Sequence, residues 1–347
     1  MDTVEKIAEV VLYEGFLLYP YTRSTTKNQQ RWTFGGVYPQ GYSEASGGDD
    51  PWLMQTQCLV VGDEQTELDI KVRFLHVVDR TIVQITGGER RAVDELRSGE
   101  QVYRPWEEAI EREVHLGNPS SPLRIADLLG NDRTVPIDIP VDSDEESILD
   151  PSGESIGAVV RHWQSMRGAV ELSAEALDEQ SYRLTVRIVN TTPWENIPGA
   201  SSRGETVRRG FISTHTILRV RNGAFISLLE PPPAYEKAVK RCENIKTWPV
   251  LVGETGEQHT LLSSPIILYD YPQIAPESPV NFFDTTEIDE LLVLSVMTMT
   301  EDEKRQARET DPRSRDILDK TDSLSQEELM GLHGKIRSMQ TLRRDPA

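Results

Sequence analysis

Residues 68–74 and 182–190 alternate apolar and polar side chains with a period of two. That period fits a strand with one buried face and one wet face, and it constrains the chain more than any other feature. Residues 168–175 repeat the alternation and are separated from 182–190 by a short acidic turn. Two such strands in succession read as an antiparallel hairpin of the β-sandwich kind. Residues 211–220 and 224–229 form a second expected pair around Arg221-Asn222-Gly223, because Asn-Gly favours the positive φ angles of a tight hairpin turn. Upstream, the apolar run 10–19 and the run 31–34 read as strands, ended by Pro20 and by Gly35-Gly36. The Gly/Ser/Asp-rich stretch 41–50 reads as a loop. Residues 106–116 suit either a short helix or a connecting strand.

Helical signals gather later. Pro231-Pro232-Pro233 stops a strand and leads into an expected helix at 234–244. Capping boxes begin at Asp284, Thr300 and Ser325, each with Glu three residues on. These short helices carry too little apolar surface to fold alone. The fold class expected is α+β, with two β-rich, mostly antiparallel, sandwich-like lobes and a helical C-terminal region. An N-terminal β-rich domain spans 1–140, and a second β-sandwich-like domain with short helices spans 158–300. A helical tail covers 301–347. Between the lobes, 141–157 is acidic with no basic residue up to Glu154, so it reads as a loop or linker.

Charge narrows the function classes. A formal net charge of −20 over 347 residues opposes binding to nucleic acid or to an anionic membrane. It suits solubility and docking to a basic protein surface. Apolar runs such as 291–297 are far shorter than the roughly 20 residues a spanning helix needs. The N-terminus lacks the basic start and apolar core of a secretory signal, so the expected compartment is the cytoplasm. Cys58 and Cys242 have no CxxC spacing and read as buried small hydrophobes. Six dispersed histidines (His76, His115, His162, His215, His259 and His333) show no HxH or HExxH spacing. No metal and no cofactor is expected.

Three groups of residues are candidates for function. Ser213 and His215 stand two apart in a strand and share a face; with an acid such as Asp270 they form an alternative hydrolase site. No GxSxG turn accompanies them. Tyr269, Asp270, Tyr271 and Glu277 lie in a proline-braced segment. Rigid aromatic and acidic groups with little entropy to lose make good contact surfaces. Arg23, Lys27, Arg31 and Trp32 form a basic, aromatic island in an acidic chain.

The runs LYEGFLLYPY (12–21), QRWTFG (30–35) and LSSPIILYDYP (262–272) resemble an uncharacterised bacterial family encoded with actinobacterial-type nickel–iron uptake hydrogenases. The resemblance covers most of the chain and implies an accessory or assembly role, with a hydrogenase subunit or maturation factor as partner. It assigns no residue a role. Missing CxxC pairs and a missing P-loop argue against a nickel-inserting GTPase or a cysteine-based metal chaperone. The leading expectation is a non-enzymatic accessory or scaffold protein that binds a partner polypeptide. The alternatives are the Ser/His/acid hydrolase and a small-molecule-binding β-sandwich module with a deep apolar pocket beside Trp248 or Trp194.

Overall fold

In a computed structural model of the chain, the residues described are 3–13, 35–47, 50–99, 101–117, 120–194, 203–273, 299–301, 304–305, 308 and 312–323. Helices α1 (Thr3–Tyr13) and α2 (Gln40–Ala45) precede a single long strand, β1 (Leu53–Thr86). Strands β2 (Glu89–Val93), β3 (Leu96–Ser98), β4 (Gln101–Tyr103), β5 (Trp106–Leu116), β6 (Leu123–Arg124), β7 (Arg133–Ile139), β8 (Asp142–Leu149), β9 (Ser155–Trp163), β10 (Met166–Ala176) and β11 (Ser181–Asn190) follow. Then come α3 (Arg203–Val207), β12 (Ile212–Ile226), α4 (Glu236–Val239), β13 (Trp248–Leu251), β14 (Thr260–Ser264) and α5 (Pro312–Ser323). The fold is α+β and mostly antiparallel: twelve strands share one sheet, whose main path runs β13-β14-β12-β1-β11-β10-β7.

β1 is 34 residues long and would reach about 110 Å if straight. It bends instead, with register shifts against β12 between Gly62 and Glu67 and between Arg73 and Leu75. Along its length it pairs with β11, β12, β6, β5, β9 and β2. Its even-numbered residues Met54, Cys58, Val60, Leu68, Ile70, Val72 and Phe74 all enter one core, with Leu184, Val186 and Ile188 of β11 and Leu218 and Val220 of β12. Phe74 and Phe211 meet there with ring centroids 4.7 Å apart. Fully burying one such side chain stabilises the fold by about 1.5–3 kcal/mol.

Several local expectations need correction. The run 10–19 was expected as a strand, yet residues 10–13 close helix α1 and residues 14–34 lie outside the described residues. The helical face is Val4, Ile7, Ala8, Val11 and Leu12, all buried, at the spacing of one helix stripe. Its first four members pack on the back of the sheet, against Ile217, Val250, Val252 and Leu262, and Leu12 packs with Tyr38, Leu75 and Ile212. The expected loop 41–50 contains most of α2. The expected loop or linker at 141–157 instead holds β8 and the start of β9, which pair with each other. Its carboxylates do not prevent pairing because arginines meet them. Arg90 grips Glu145 with two hydrogen bonds (2.7 and 3.0 Å), and Arg161 reaches Glu146 at 3.2 Å. Strands β9, β11 and β12, all from beyond residue 154, pair with β1.

The expected hairpin at Asn222-Gly223 is also absent: β12 runs through it without reversing. Asn222 has φ +52, and it sits where β1 bulges out at 63–66. Thr66 Oγ1 donates to the Asn222 carbonyl at 2.8 Å. The Asn-Gly pair therefore makes a shared corner in two paired strands rather than a turn between two strands. The core side of β12 changes parity across it, from Leu218 and Val220 to Phe225. The helix expected at 234–244 shortens to α4. Residues 106–116 are strand β5. Of the expected tail at 301–347, α5 and helical residues 301, 304, 305 and 308 are described; the capping boxes at Asp284 and Ser325 lie outside the described residues.

Because a β-branched side chain is strained at positive φ, Asn222→Val is expected to destabilise the protein by about 1–2 kcal/mol. Asn222→Gly should stay within about 0.5 kcal/mol of the parent. Urea unfolding of both variants measures this, and an equal cost for the two would contradict the corner.

Candidate functional site

Ser213 opens β12 with φ +53. Its hydroxyl donates to the Val11 carbonyl of α1 at 2.9 Å, so that proton is committed to holding the helix. His215 is fully buried, and its Nδ1 lies 3.0 Å from the Ser213 carbonyl rather than from the Ser213 hydroxyl. Among the described residues its Nε2 has no hydrogen-bond partner. Burial pushes the imidazole down to about 4, helped by the nearby Arg73 and Lys71 and opposed by the Ser213 carbonyl and Glu5. Asp270 is committed elsewhere: it accepts from the Leu251 N–H at 2.8 Å and from the Ser227 hydroxyl. The structure thus brings Ser213 and His215 together under α1 and pairs Asp270 with other groups. No hydroxyl–imidazole–carboxylate relay is formed by these three, and both Ser213 and His215 are buried.

The floor beneath α1 explains how that region is sealed. Lys71, Arg73 and Arg219 all face Glu5 of α1, at 2.8, 3.8 and 3.1 Å. Burial alone would raise the Glu5 carboxyl; the hydrogen bonds from Lys71 and Arg219 outweigh it and hold it below the usual carboxylate range. Arg73 is itself answered by Glu111 and Glu113 of β5, each at 3.0 Å.

The segment after β14 is built differently. Strand β13 ends the sheet, and its outward edge offers no free N–H at Pro249 or Leu251. Pro249 has no N–H. Leu251 gives its N–H to Asp270 and its carbonyl to the Tyr271 N–H at 2.7 Å. Tyr271, at φ +58, is half-buried against the main core. Between these two anchors and β14, Tyr269 stands 85% exposed and Ile267 70% exposed, with Trp248 of β13 at 42%. Of the four residues expected as a contact surface here, then, Tyr269 faces solvent, whereas Asp270 and Tyr271 serve the fold. Glu277 lies outside the described residues, as do Arg23, Lys27, Arg31 and Trp32.

Ile267 and Trp248 were not singled out as contact residues. Exposure of a residue inside an apolar run is not visible in its periodicity. A cleft of about 370 Å³ opens on the outer face of β1, β11 and β10, lined by Gln57, Glu171, Ser173, Thr185 and Arg187 among others. It is polar and is not lined by Trp248 or Trp194. Among the described residues no group of three or more His, Cys, Asp or Glu side chains is placed to hold a metal ion, and no helix is long and apolar enough to cross a membrane.

His76 shares the burial of His215 and is likewise held down to about 4, by burial and then by Arg112. Both imidazoles would take up a proton far more readily in the unfolded chain, near the ordinary 6.5. Stability is therefore expected to be full above about pH 6.5 and to fall as the pH drops toward 4, by about 2 kcal/mol per histidine at pH 5. Denaturation at pH 5.0 and 7.5 tests this, and His215→Leu should remove roughly half of the difference.

Searches against protein-family models, curated proteins and solved structures return no match to this chain.

Proposed function

We propose that this protein is a non-enzymatic accessory or scaffold protein that binds a partner polypeptide through the Tyr269 end of its sheet. The observation that carries the reading is the fixing of Tyr269 from one side. The two residues that follow it are tied to Leu251 by two hydrogen bonds, one to the Asp270 carboxylate and one from the Tyr271 N–H, while its ring is left 85% exposed. A rigid aromatic side chain loses little entropy on contact, which is why such residues dominate binding energy at interfaces. Ile267 and Trp248 add exposed apolar surface at the same end of the sheet. The net charge of −20 favours a partner with a basic surface. The family resemblance makes a nickel–iron hydrogenase subunit or maturation factor the first candidate to test, and the cytoplasm the compartment to search.

The competing hydrolase reading has no observation in its favour, since Ser213 and His215 are sealed beneath α1 and Asp270 is tied to Leu251.

Affinity purification of the tagged full-length chain from its native cells, against a Tyr269→Ala, Ile267→Ser double variant, tests the reading. One polypeptide should be recovered at near-equal stoichiometry with the parent and drop at least tenfold with the variant, about 1.4 kcal/mol in binding. Equal recovery by both proteins, with the variant folded by circular dichroism, would falsify it.

A further inference from the structure

We propose that the Arg112 guanidinium, stacked on Trp163 beside the buried His76, is a receptor for a single organic carboxylate group. This site is independent of the Tyr269 surface. Facing residues on paired strands lie on the same side of a sheet, which fixes the neighbourhood. Phe74, His76, Val78 and Arg80 of β1 share one face, and β5 sets Arg112, Ile110, Glu108 and Trp106 opposite them in turn. From β9, Arg161 stands opposite Arg80, and Trp163 lies two residues further along. This face carries three arginines. Glu108 answers two of them, accepting from Arg80 and Arg161 at 2.6 Å each.

Arg112 is left over. Its guanidinium carbon lies 5.6 Å from the Trp163 ring centroid, its Nε is buried without a hydrogen-bond partner, and among the described residues no carboxylate forms an ion pair with it. Burial alone lowers it, with no anion acting in the other direction. In a chain of net charge −20, a half-buried cation without a counter-ion is the exception, and an uncompensated buried charge is costly. The aromatic face offsets part of that cost. A bound carboxylate would offset more, since its two oxygens match the guanidinium fork.

His76 supplies the second observation. It is fully buried, and among the described residues neither ring nitrogen completes a hydrogen bond, the ring only facing the Gln164 backbone, which favours its protonated form. A buried polar group without a partner calls for an explanation, and a functional role or a bound ion is one kind. A neutral imidazole adds no charge, and Arg112 is the one arginine of the three that no carboxylate among the described residues reaches. Asp144 and Glu146 stand on the Arg161 side of the face, at 3.9 and 3.2 Å from its guanidinium, and they oppose a multiply charged anion. The match is a monocarboxylate. Binding it would also ease protonation of His76, because the Arg112 charge that opposes protonation would be offset.

The test uses the full-length chain in carboxylate-free buffer at constant ionic strength, with sodium acetate, N-acetylalanine and N-acetylalanine amide as probes. Acetate should raise the thermal midpoint by about 2–4 °C, shift the His76 ring signals in nitrogen-15 spectra and move its titration midpoint upward. The amide should do nothing. A response to N-acetylalanine as well would mark the occupant as the carboxylate end of a chain, and a response to acetate alone as a small free acid. Arg112→Leu should be no less stable than the parent without carboxylate and should ignore acetate. Arg112→Lys keeps the charge without the fork and should need roughly tenfold more acetate. No acetate response in the parent, or an unchanged response in Arg112→Lys, would overturn the proposal.

Discussion

Pairing along β1 is the constraint on which the other elements depend. Because residues 59–61 pair with both β11 and β12, and residues 70–73 and 75 with both β5 and β12, both edges of the strand are occupied over much of its length. The two shifts in its register to β12 let one continuous strand serve two neighbourhoods. Its first part carries β11, β10 and β7; its last part carries β5, β2 and β9. Even-numbered residues keep the same core side from Met54 to Phe74 despite the bulge, because the excursion at 63–66 leaves the parity unchanged. A one-residue slip would send Ile70, Val72 and Phe74 to the opposite face and bring Lys71 and Arg73 into the core, which is why the register tolerates no alternative.

The back of the sheet is held by a different balance. Lys71, Arg73 and Arg219 would repel one another on an uncovered face. Glu5 of α1 sits among them while Val4, Ile7, Ala8 and Val11 cover the apolar residues beside them. The helix thus satisfies charge and apolar surface together. That same cover closes over Ser213 and His215 and makes their adjacency a matter of packing. The histidine remains neutral because burial outweighs everything else around it. Reading the two residues as a catalytic pair would require the sheet to give up the helix that neutralises its own back face.

Alternation revealed the strands that are half-wet, 68–74, 168–175 and 182–190, because each of those keeps one face in solvent or against polar groups. It revealed less where the determining partner is distant. Helix α1 was misread because its stripe begins at Val4, and a window opened at Val10 sees an apolar run in place of a period of 3.6. Residues 142–149 look like a linker until Arg90 and Arg161, more than ten residues away in sequence, are brought alongside. Asn222-Gly223 is a sound local signal for positive φ, and φ is indeed positive at Asn222. The strand does not reverse there because β1 bulges at the same level. Among the candidate residues, the braced character of 269–271 was legible. The division of labour within it was not, since Asp270 meets partners 19 and 43 residues away. Arg112 gave no sign in the sequence at all: an arginine at an inward-facing position matters only once its lack of a carboxylate is known.

The closure of β13 limits how a partner can be recognised at that end of the sheet. An exposed edge strand invites another chain to add to it through main-chain hydrogen bonds. Here Pro249 offers no donor, and the Leu251 donor and acceptor are both taken by the segment that carries Tyr269. Strand addition at these positions would have to displace Asp270 and Tyr271, and with Tyr271 a ring packed against the core. Under the proposed function, contact at this end would therefore be made by side chains, through the Tyr269 ring and the apolar surface of Ile267 and Trp248. Such recognition is read by shape and apolar complementarity rather than by backbone pairing. On that reading, the acidic chain would keep the end of its sheet protected against unselective pairing while presenting one rigid aromatic group to a partner.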